Sequence, residues 1–508
     1  MESEANSKET VVISKAEYES MKQQIAWLME QLKLSKHRQF GVSSEKSEYD
    51  QLSLFNEAEV EADDNIADPN LVEIKKHYRK RTRLTTDKLP EDLPVEIIEH
   101  SLPGEQICPD CGSQLRVIGN ETREELVLIP AAAKIRRHVS ATYACRHCET
   151  HSDHVPIVKA ALPKPVIRGG FASPEAIAHI AVQKFTMGSP LYRQEQEWFR
   201  NGILLSRQTM SNWLLKAADD WLKPIYSRLH ELICAGEVAH ADETTLQVLH
   251  ESGKTPQSKS YMWLYRTSGD AKHPIVLYDY QPSRRASHPE AFLKNFKGFL
   301  HTDGYDGYHK LPKQITVVGC WAHVRRKFDE ALKIIPEKDR LGTKSLHGKH
   351  FCDRLFALER EFAELPADDY FKARYKARMD KSKSVMDEFF AWASHLGALP
   401  KTPLGKAVQY AIDQKIWLEH VLLDGRLELS NNRAERSIKP FVIGRKNWLF
   451  ANTAGGATAS AIFYSLIETA KENGINPYEY LTFVFNAAPN MDADTPVDEL
   501  MPWNLECR

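Results

Sequence analysis

Residues 430–439 (Ser430, Asn431, Asn432, Arg433, Ala434, Glu435, Arg436, Ser437, Ile438, Lys439) set one acid among bases and amides. From Asp424 to Trp448 six bases, Arg426, Arg433, Arg436, Lys439, Arg445 and Lys446, stand against three acids, Asp424, Glu428 and Glu435. That local excess of cations sits in a chain whose formal net charge is −2. An acid held within a basic surface suits a metal-dependent enzyme acting on a phosphodiester, with carboxylate for the metal and cations for the nucleic-acid backbone. The same residues also read as a solvated helix with i,i+3 and i,i+4 ion pairs. On such a helix Lys439 shares the face of Glu435, while Arg436 points elsewhere. Two aspartates far upstream, Asp242 and Asp303, tilt the reading toward chemistry, because each ends an apolar strand pattern.

The elements that must position these acids are legible in the periodicity. From residue 237 the pattern changes from helical to strand-like, and 237–250, 261–267 and 274–280 predict three successive strands. A short helix over 287–296 follows, then a buried strand, 299–304, ending in Asp303, and a further strand over 314–320. This order is that of a ribonuclease-H-like domain, whose first and fourth strands lie side by side and would bring Asp242 and Asp303 together. Either aspartate could instead be a turn former, and Asp303 before Gly304 is turn-like. Asp306 is the stand-in for the second acid. Residues 322–423 are charged and helical, as in Leu355, Leu358, Phe362 and Leu365, and too long for a connection within a compact domain. They predict an inserted helical subdomain. A helix over 431–439 carries Glu435, and an apolar helix over 459–470, with Phe463, Leu466 and Ile467, covers the sheet and stops near Gly474 and Pro477.

Upstream, Cys108-Pro109-Asp110-Cys111-Gly112 and Cys145-Arg146-His147-Cys148 are two C-x-x-C knuckles. Each can aim two thiolates at one ion. Strands over 125–129 and 135–144, with a turn at Pro130, would join them into a zinc ribbon, a closed structural site with four sulfur ligands. The interval is longer than the usual template, and His147, His151 and His154 are nearby substitutes; a redox pair is the alternative. Beyond Gly169-Gly170 the pattern is helical, with Ser173-Pro174-Glu175 as cap, first turn and acid. Residues 202–214 look like the turn and second helix of a helix-turn-helix, Ser206 capping, Met210, Trp213 and Leu214 inward. Arg207, Gln208, Ser211 and Asn212 would face out, and Arg, Gln and Asn are side chains that read base edges. Many helical hairpins look the same without touching DNA.

At the N-terminus Tyr18, Met21, Ile25, Leu28 and Leu32 make a zipper-like seam, for self-association or for docking on the same chain. Residues 57–68 are acidic and core-poor, and 75–83 are basic, either a phosphate grip or a solvated tether. No run of about 18 apolar residues occurs, so no membrane span is expected. The first ten residues are polar, unlike a secretory signal, and paired cysteines then favour metal over disulfides. The expected compartment is the cytoplasm, at the nucleoid when DNA is bound.

Together these motifs resemble the transposases of the insertion sequence 66 family, nearly end to end. The resemblance rests on Phe40-Gly41 with Ser44-Glu45-Lys46, Leu54-Phe55, both C-x-x-C pairs, His240-Ala241-Asp242-Glu243-Thr244 and Thr302-Asp303-Gly304-Tyr305. It also rests on Gly319-Cys320-Trp321-Ala322-His323, Asn431-Asn432 with Glu435-Arg436, and Gly444-Arg445-Lys446-Asn447-Trp448-Leu449-Phe450. It implies a multidomain α+β chain: a coiled-coil-like helix (1–50), a linker (51–85), a zinc module (86–160) and a helix-turn-helix-like DNA-binding region (161–235). A ribonuclease-H-like Asp-Asp-Glu core (236–450) and a C-terminal helical cover (451–508) complete it. The implied triad is Asp242, Asp303 and Glu435, which can hold two Mg²⁺ (or Mn²⁺) ions about 3.5–4 Å apart for cleavage and joining of DNA strands. Zinc would sit on Cys108, Cys111, Cys145 and Cys148. DNA contacts are expected at Arg207, Gln208, Asn212, Arg433, Arg436, Lys439, Arg445 and Lys446, in a homo-oligomer working with accessory proteins of the same element. Ser430 departs from the family's usual Asp. Related transposases carry a pair like Cys320 and His323, which reads as a structural brace ahead of a metal site. Two other functions use the same residues: a DNA-binding regulator on an inactive core, and a nuclease without joining activity.

Overall fold

The computed structural model describes residues 133–144, 157–366, 369–492 and 494–505. The zipper-like helix, the linker and the four knuckle cysteines lie outside the described residues. The chain divides into two compact units, Gln51–Leu162 and Met1–Asp50 with Pro163–Arg508.

In the smaller unit β1 (Thr142–Ala144) and β2 (Ile157–Lys159) pair antiparallel, Tyr143 opposite Val158. The strand expected over 135–144 is confined to its last three residues. Ile135 and Val139 are 91% and 83% exposed, so those side chains have little packing to hold them extended.

The larger unit begins with helices. Pro174–Phe185 starts at Ser173, whose Oγ accepts the Ala176 N–H at 3.1 Å, and Pro174 occupies the first turn, where its missing N–H removes no bond. Helices Leu191–Arg200 and Arg207–Ala217 are joined by a turn in which Gly202 takes φ +77°. Ser206 caps the second helix as expected, accepting the Thr209 N–H at 3.1 Å. Met210, Trp213 and Leu214 are buried, while Arg207, Gln208 and Asn212 are exposed. The chain then runs through Lys223–Ala235 into the sheet.

The sheet consists of β3 (Val238–His250), β4 (Lys259–Thr267), β5 (Val276–Gln281), β6 (Gly298–His301), β7 (Ile315–Val318) and β8 (Ala451–Thr453). Its order is β5-β4-β3-β6-β7, with β8 on the far end of β3. β3, β4 and β5 form an antiparallel meander; β6 lies parallel to β3, β7 parallel to β6, and β8 parallel to β3. It is therefore a mixed sheet. A short helix, Ser287–Phe292, links β5 to β6. Gly298 opens β6 at φ +140°, where a Cβ would stand 2.1 Å from the Glu237 carbonyl oxygen, so only glycine lets β6 come in beside β3.

Helix Ala454–Glu472 covers this sheet with Phe463, Leu466 and Ile467 buried, and it also seals the β5 edge. Ser465 Oγ and Thr469 Oγ1 accept the Tyr278 and Val276 N–H groups at 2.8 and 3.0 Å, satisfying donors that an edge strand would leave bare. Phe185 stacks on Phe463 at 5.0 Å, so the N-terminal helices share this core.

Between β7 and the Glu435 helix runs a series of helices, Trp321–Lys333, Lys344–Phe362, Tyr370–Ala377, Lys383–His395, Pro403–Asp413 and Lys415–Glu419. Phe328, Phe351, Leu355, Phe389 and Phe390 give it a second core. Its neck is tied shut: Gly319 N–H donates to the Trp417 carbonyl (2.9 Å) and Trp321 N–H to that of Leu429 (3.0 Å).

The helix carrying Glu435 spans Asn432–Trp448, past the end expected at Lys439 and through Pro440. An interior proline costs about 3 kcal/mol. Tertiary contacts offset it here, since Ile438, Phe441 and Val442 are buried and Arg266, 2% exposed on β4, bonds both Ser437 Oγ and Glu472 (2.9 Å).

Candidate active site

The parallel pairing of β3 and β6 sets Val238 opposite Phe299, Ala239 opposite Leu300 and His240 opposite His301. Asp242 and Asp303 each lie two residues beyond the last of these pairs. Asp303 follows the end of β6 as expected, whereas Asp242 stands inside the longer β3, which runs on to His250 because β4 continues to pair with it, Leu264 opposite Asp242. Below them the two imidazoles stack, with centroids 4.4 Å apart, fully buried. Burial drives His240 down to about 3, and burial with the neighbouring His240 pulls His301 well below the usual range. Both rings are therefore neutral, able to pass hydrogen bonds without adding charge.

Asn431 brings in the third acid. Its amide is fully buried and makes no cap for its own helix. Instead Oδ1 meets His240 Nδ1 at 3.0 Å and Nδ2 donates to the Ala241 carbonyl at 2.8 Å, while its backbone N–H donates to Cys320 Sγ at 3.1 Å. The helix start is thereby fixed beside the residue preceding Asp242, with Glu435 in its first turn. Glu435 Oε2 accepts from Arg326 Nη2 at 2.9 Å, and Oε1 lies 3.6 Å from His323 Nε2.

The three acids share one field. The Asp242 carboxyl is held well above the ordinary range by burial first, then by the charges of Glu243, Glu435 and Asp303. Glu243 is raised to about 7 by burial and Asp303, against the pull of Arg284 and Tyr308. Burial would lower His323, but Cys320, Glu435 and Asp303 outweigh it and raise the ring to about 10. Carboxylates offer hard oxygen donors, the kind that Mg²⁺ or Mn²⁺ takes, although among the described residues the ligand atoms that come within 4.8 Å of one another are those of Cys320, His323 and Glu435.

Around them stands a fixed guanidinium. Arg284 Nε donates to Glu243 Oε1 at 2.7 Å, its Nη2 is 3.9 Å from Asp303 Oδ2, and its plane lies 3.9 Å over the Tyr305 ring. Tyr308 OH donates to the other Glu243 oxygen at 2.6 Å. Glu243 stood in the sequence motif with no role given to it. Arg284, in the loop before the short helix, carried no pattern to reveal it. Arg326 was visible only as a basic residue one helical turn beyond His323, on the same face.

The remaining expected site residues are placed as follows. Asp306 is 73% exposed and paired with Lys310, so it does not join the acids. Arg433 Nε donates to Glu428 (2.7 Å), and Arg445 bonds the Thr245 carbonyl and Thr244 Oγ1 of β3. Arg436 and Lys446 are exposed, and Lys439 is half-buried one turn beyond Glu435. Arg207 lies 3.9 Å from Glu195, and Gln208 Nε2 donates to Asn212 Oδ1 at 3.0 Å on the exposed face. Ser430 lines a surface cavity of about 400 Å³ with Glu428 and Arg433. Among the described residues no helix is long and apolar enough to cross a membrane.

Comparison with known proteins finds family matches along most of the chain. The profile of the Transposase IS66 family matches residues 169–459, which include all three acids. Residues 105–149 match the zinc-finger binding domain of transposase IS66, 465–503 the IS66 C-terminal element, and 27–98 the profile called Transposase C of IS166 homeodomain. Two proteins of Sinorhizobium fredii (strain NBRC 101917 / NGR234), both termed uncharacterized, are similar over most of their length. Protein y4qI is 32% identical over 428 residues, 81% of this chain and 75% of its own. Protein y4jD is 32% identical over 436 residues, 82% of this chain and 81% of its own. The chain belongs to the IS66 transposase family, with DNA as its partner.

Proposed function

We propose that the chain binds the ends of its own insertion sequence and cuts and joins DNA strands at Asp242, Asp303 and Glu435, on a ribonuclease-H-like sheet. The observation that carries this reading is the register of β3 on β6, whose last pair, His240 and His301, lies two residues before Asp242 and Asp303, with Asn431 tying the start of the Glu435 helix to His240 and Ala241. The strand order β5-β4-β3-β6-β7 supports the ribonuclease-H-like assignment. The three carboxylates would hold Mg²⁺ or Mn²⁺, which when bound activates the attacking oxygen and stabilises the leaving 3′ oxygen. The chain's own residues do the rest. Asn431 and the neutral His240–His301 pair hold the acids in register. Arg284, immobilised by Glu243 and Tyr305, presents a guanidinium to the phosphate entering beside Asp303. Arg436, Lys439 and Lys446 extend the basic surface along the DNA.

End recognition falls to the exposed face of helix Arg207–Ala217 through Arg207, Gln208 and Asn212, together with the zinc module. Zinc on Cys108, Cys111, Cys145 and Cys148 is supported by the zinc-finger match, which spans all four. The test is an assay with pre-cut element ends, purified protein and Mg²⁺, scoring nicking and joining separately. Joined products support a transposase; nicking alone would leave a nuclease; binding without either would leave a regulator.

A further inference from the structure

We propose that Cys320, His323 and Glu435 form a second metal site, one for zinc, on the flank of the three carboxylates. Each offers one ligand atom, and the three atoms lie within 4.8 Å of one another. The arrangement follows from the fold. Cys320 precedes helix Trp321–Lys333 and His323 lies in its first turn, a spacing that puts both side chains on one side of the helix start. Glu435 arrives from the first turn of Asn432–Trp448, which Asn431 anchors at the same point.

The surroundings distinguish this cluster from a plain hydrogen-bonded brace. Cys320 is 1% exposed, and its sulfur accepts the Asn431 N–H at 3.1 Å, which fixes the sulfur beside the start of the Glu435 helix. His323 Nδ1 is buried with no hydrogen-bond partner. Its Nε2, 3.6 Å from Glu435 Oε1, is too far for a hydrogen bond. The side chains of His323 and Cys320 are also hydrogen-bonded to each other, a contact that an ion held between them would replace.

The donors also select the metal. Asp242 and Asp303 supply only oxygen, which suits Mg²⁺ or Mn²⁺, whereas sulfur, nitrogen and one oxygen suit Zn²⁺. Three protein ligands leave a fourth position for water. Glu435 divides between its neighbours: Oε1 faces His323, and Oε2 is the oxygen held by Arg326. Zinc occupancy would therefore fix the catalytic glutamate through one oxygen only.

The experiment is a zinc count on full-length protein, saturated with zinc and freed of excess. Wild type should retain one zinc equivalent more than Cys320→Ser or His323→Gln, and the same decrement should appear in a Cys108→Ser background, which removes a knuckle ligand independently. Glutamine keeps the bulk and hydrogen-bonding ability of a brace without a good ligand. Should both variants fail to fold, zinc-edge X-ray absorption on wild type decides the matter. A one-sulfur site averaged with a four-sulfur site gives about 2.5 sulfurs per zinc. Unchanged zinc in the variants, or about four sulfurs per zinc in wild type, overturns the proposal. Because no DNA is present, the outcome is independent of the strand-joining assay.

Discussion

Asn431 Oδ1 and His240 Nδ1 lie 3.0 Å apart across 191 positions of sequence, and this one contact seats the third acid against the first. Asn431→Ala leaves the imidazole and the Ala241 carbonyl buried without this partner, a cost of about 1–3 kcal/mol for each unsatisfied group. The expected phenotype is a loss of nicking of at least about tenfold, the factor that 1.4 kcal/mol represents, with end binding retained. Parallel gel-shift and nicking assays check it. Equal losses in both would reduce Asn431 to a folding residue.

Asp242→Asn should abolish nicking and joining yet stabilise the metal-free protein. The raised carboxyls of Asp242 and Glu243 bind protons more tightly folded than unfolded. Their contribution to stability is present below the unfolded values and lost as pH rises, through about 7 for Glu243. A divalent cation opposes that loss. Saturating Mg²⁺ should thus raise the melting temperature more at about pH 8 than at about pH 5. Removing one charge by Asp242→Asn should raise the metal-free melting temperature by roughly 2–4 °C, the shift that about 1 kcal/mol produces in a large domain. A metal effect that ignores pH would contradict this account.

Arg284→Ala should slow nicking by about tenfold or more, as expected for loss of a charge-assisted contact to phosphate. The discriminating substrate carries a neutral methylphosphonate at the scissile position. If the guanidinium meets that phosphate, the substitution costs nothing further on the modified DNA. An unchanged penalty on both substrates would place Arg284 in support of Glu243 alone.

Arg207→Ala combined with Asn212→Ala should weaken binding to the element's own ends by about 1–3 kcal/mol per base contact while leaving random DNA nearly unaffected. Competition binding at fixed salt measures it. Equal weakening on both DNAs would mean phosphate contact or packing.

Where chemistry and local pattern coincide, the sequence announced the structure. The alternation over 237–250 and the apolar run before Asp303 both produced strands, and Ser173 and Ser206 cap the helices they were expected to cap. What escaped has no local signature. Arg326 reaches Glu435 across 109 positions, and Arg284 reaches Glu243 from an irregular loop. The helix beyond Pro440 exists because Arg266 and a buried apolar face hold it, a tertiary effect that overrides local propensity. Conversely, residues 135–141 have strand-like composition without a packed face and stay irregular.

The bond from Arg266 to Glu472 makes the corner around Glu435 depend on residues made late in synthesis. Glu435 rides on a helix held by Arg266, and Arg266 in turn is held from the end of the covering helix, after the whole neck-tied insertion has been made. A gene copy interrupted anywhere between codons 435 and 472 would encode both aspartates but not the complete covering helix, whose Phe463, Leu466 and Ile467 fill the core shared by the sheet and the N-terminal helices. Its product would lose that core together with the seat of the glutamate, so truncated copies would encode chains that fail to fold rather than partial proteins.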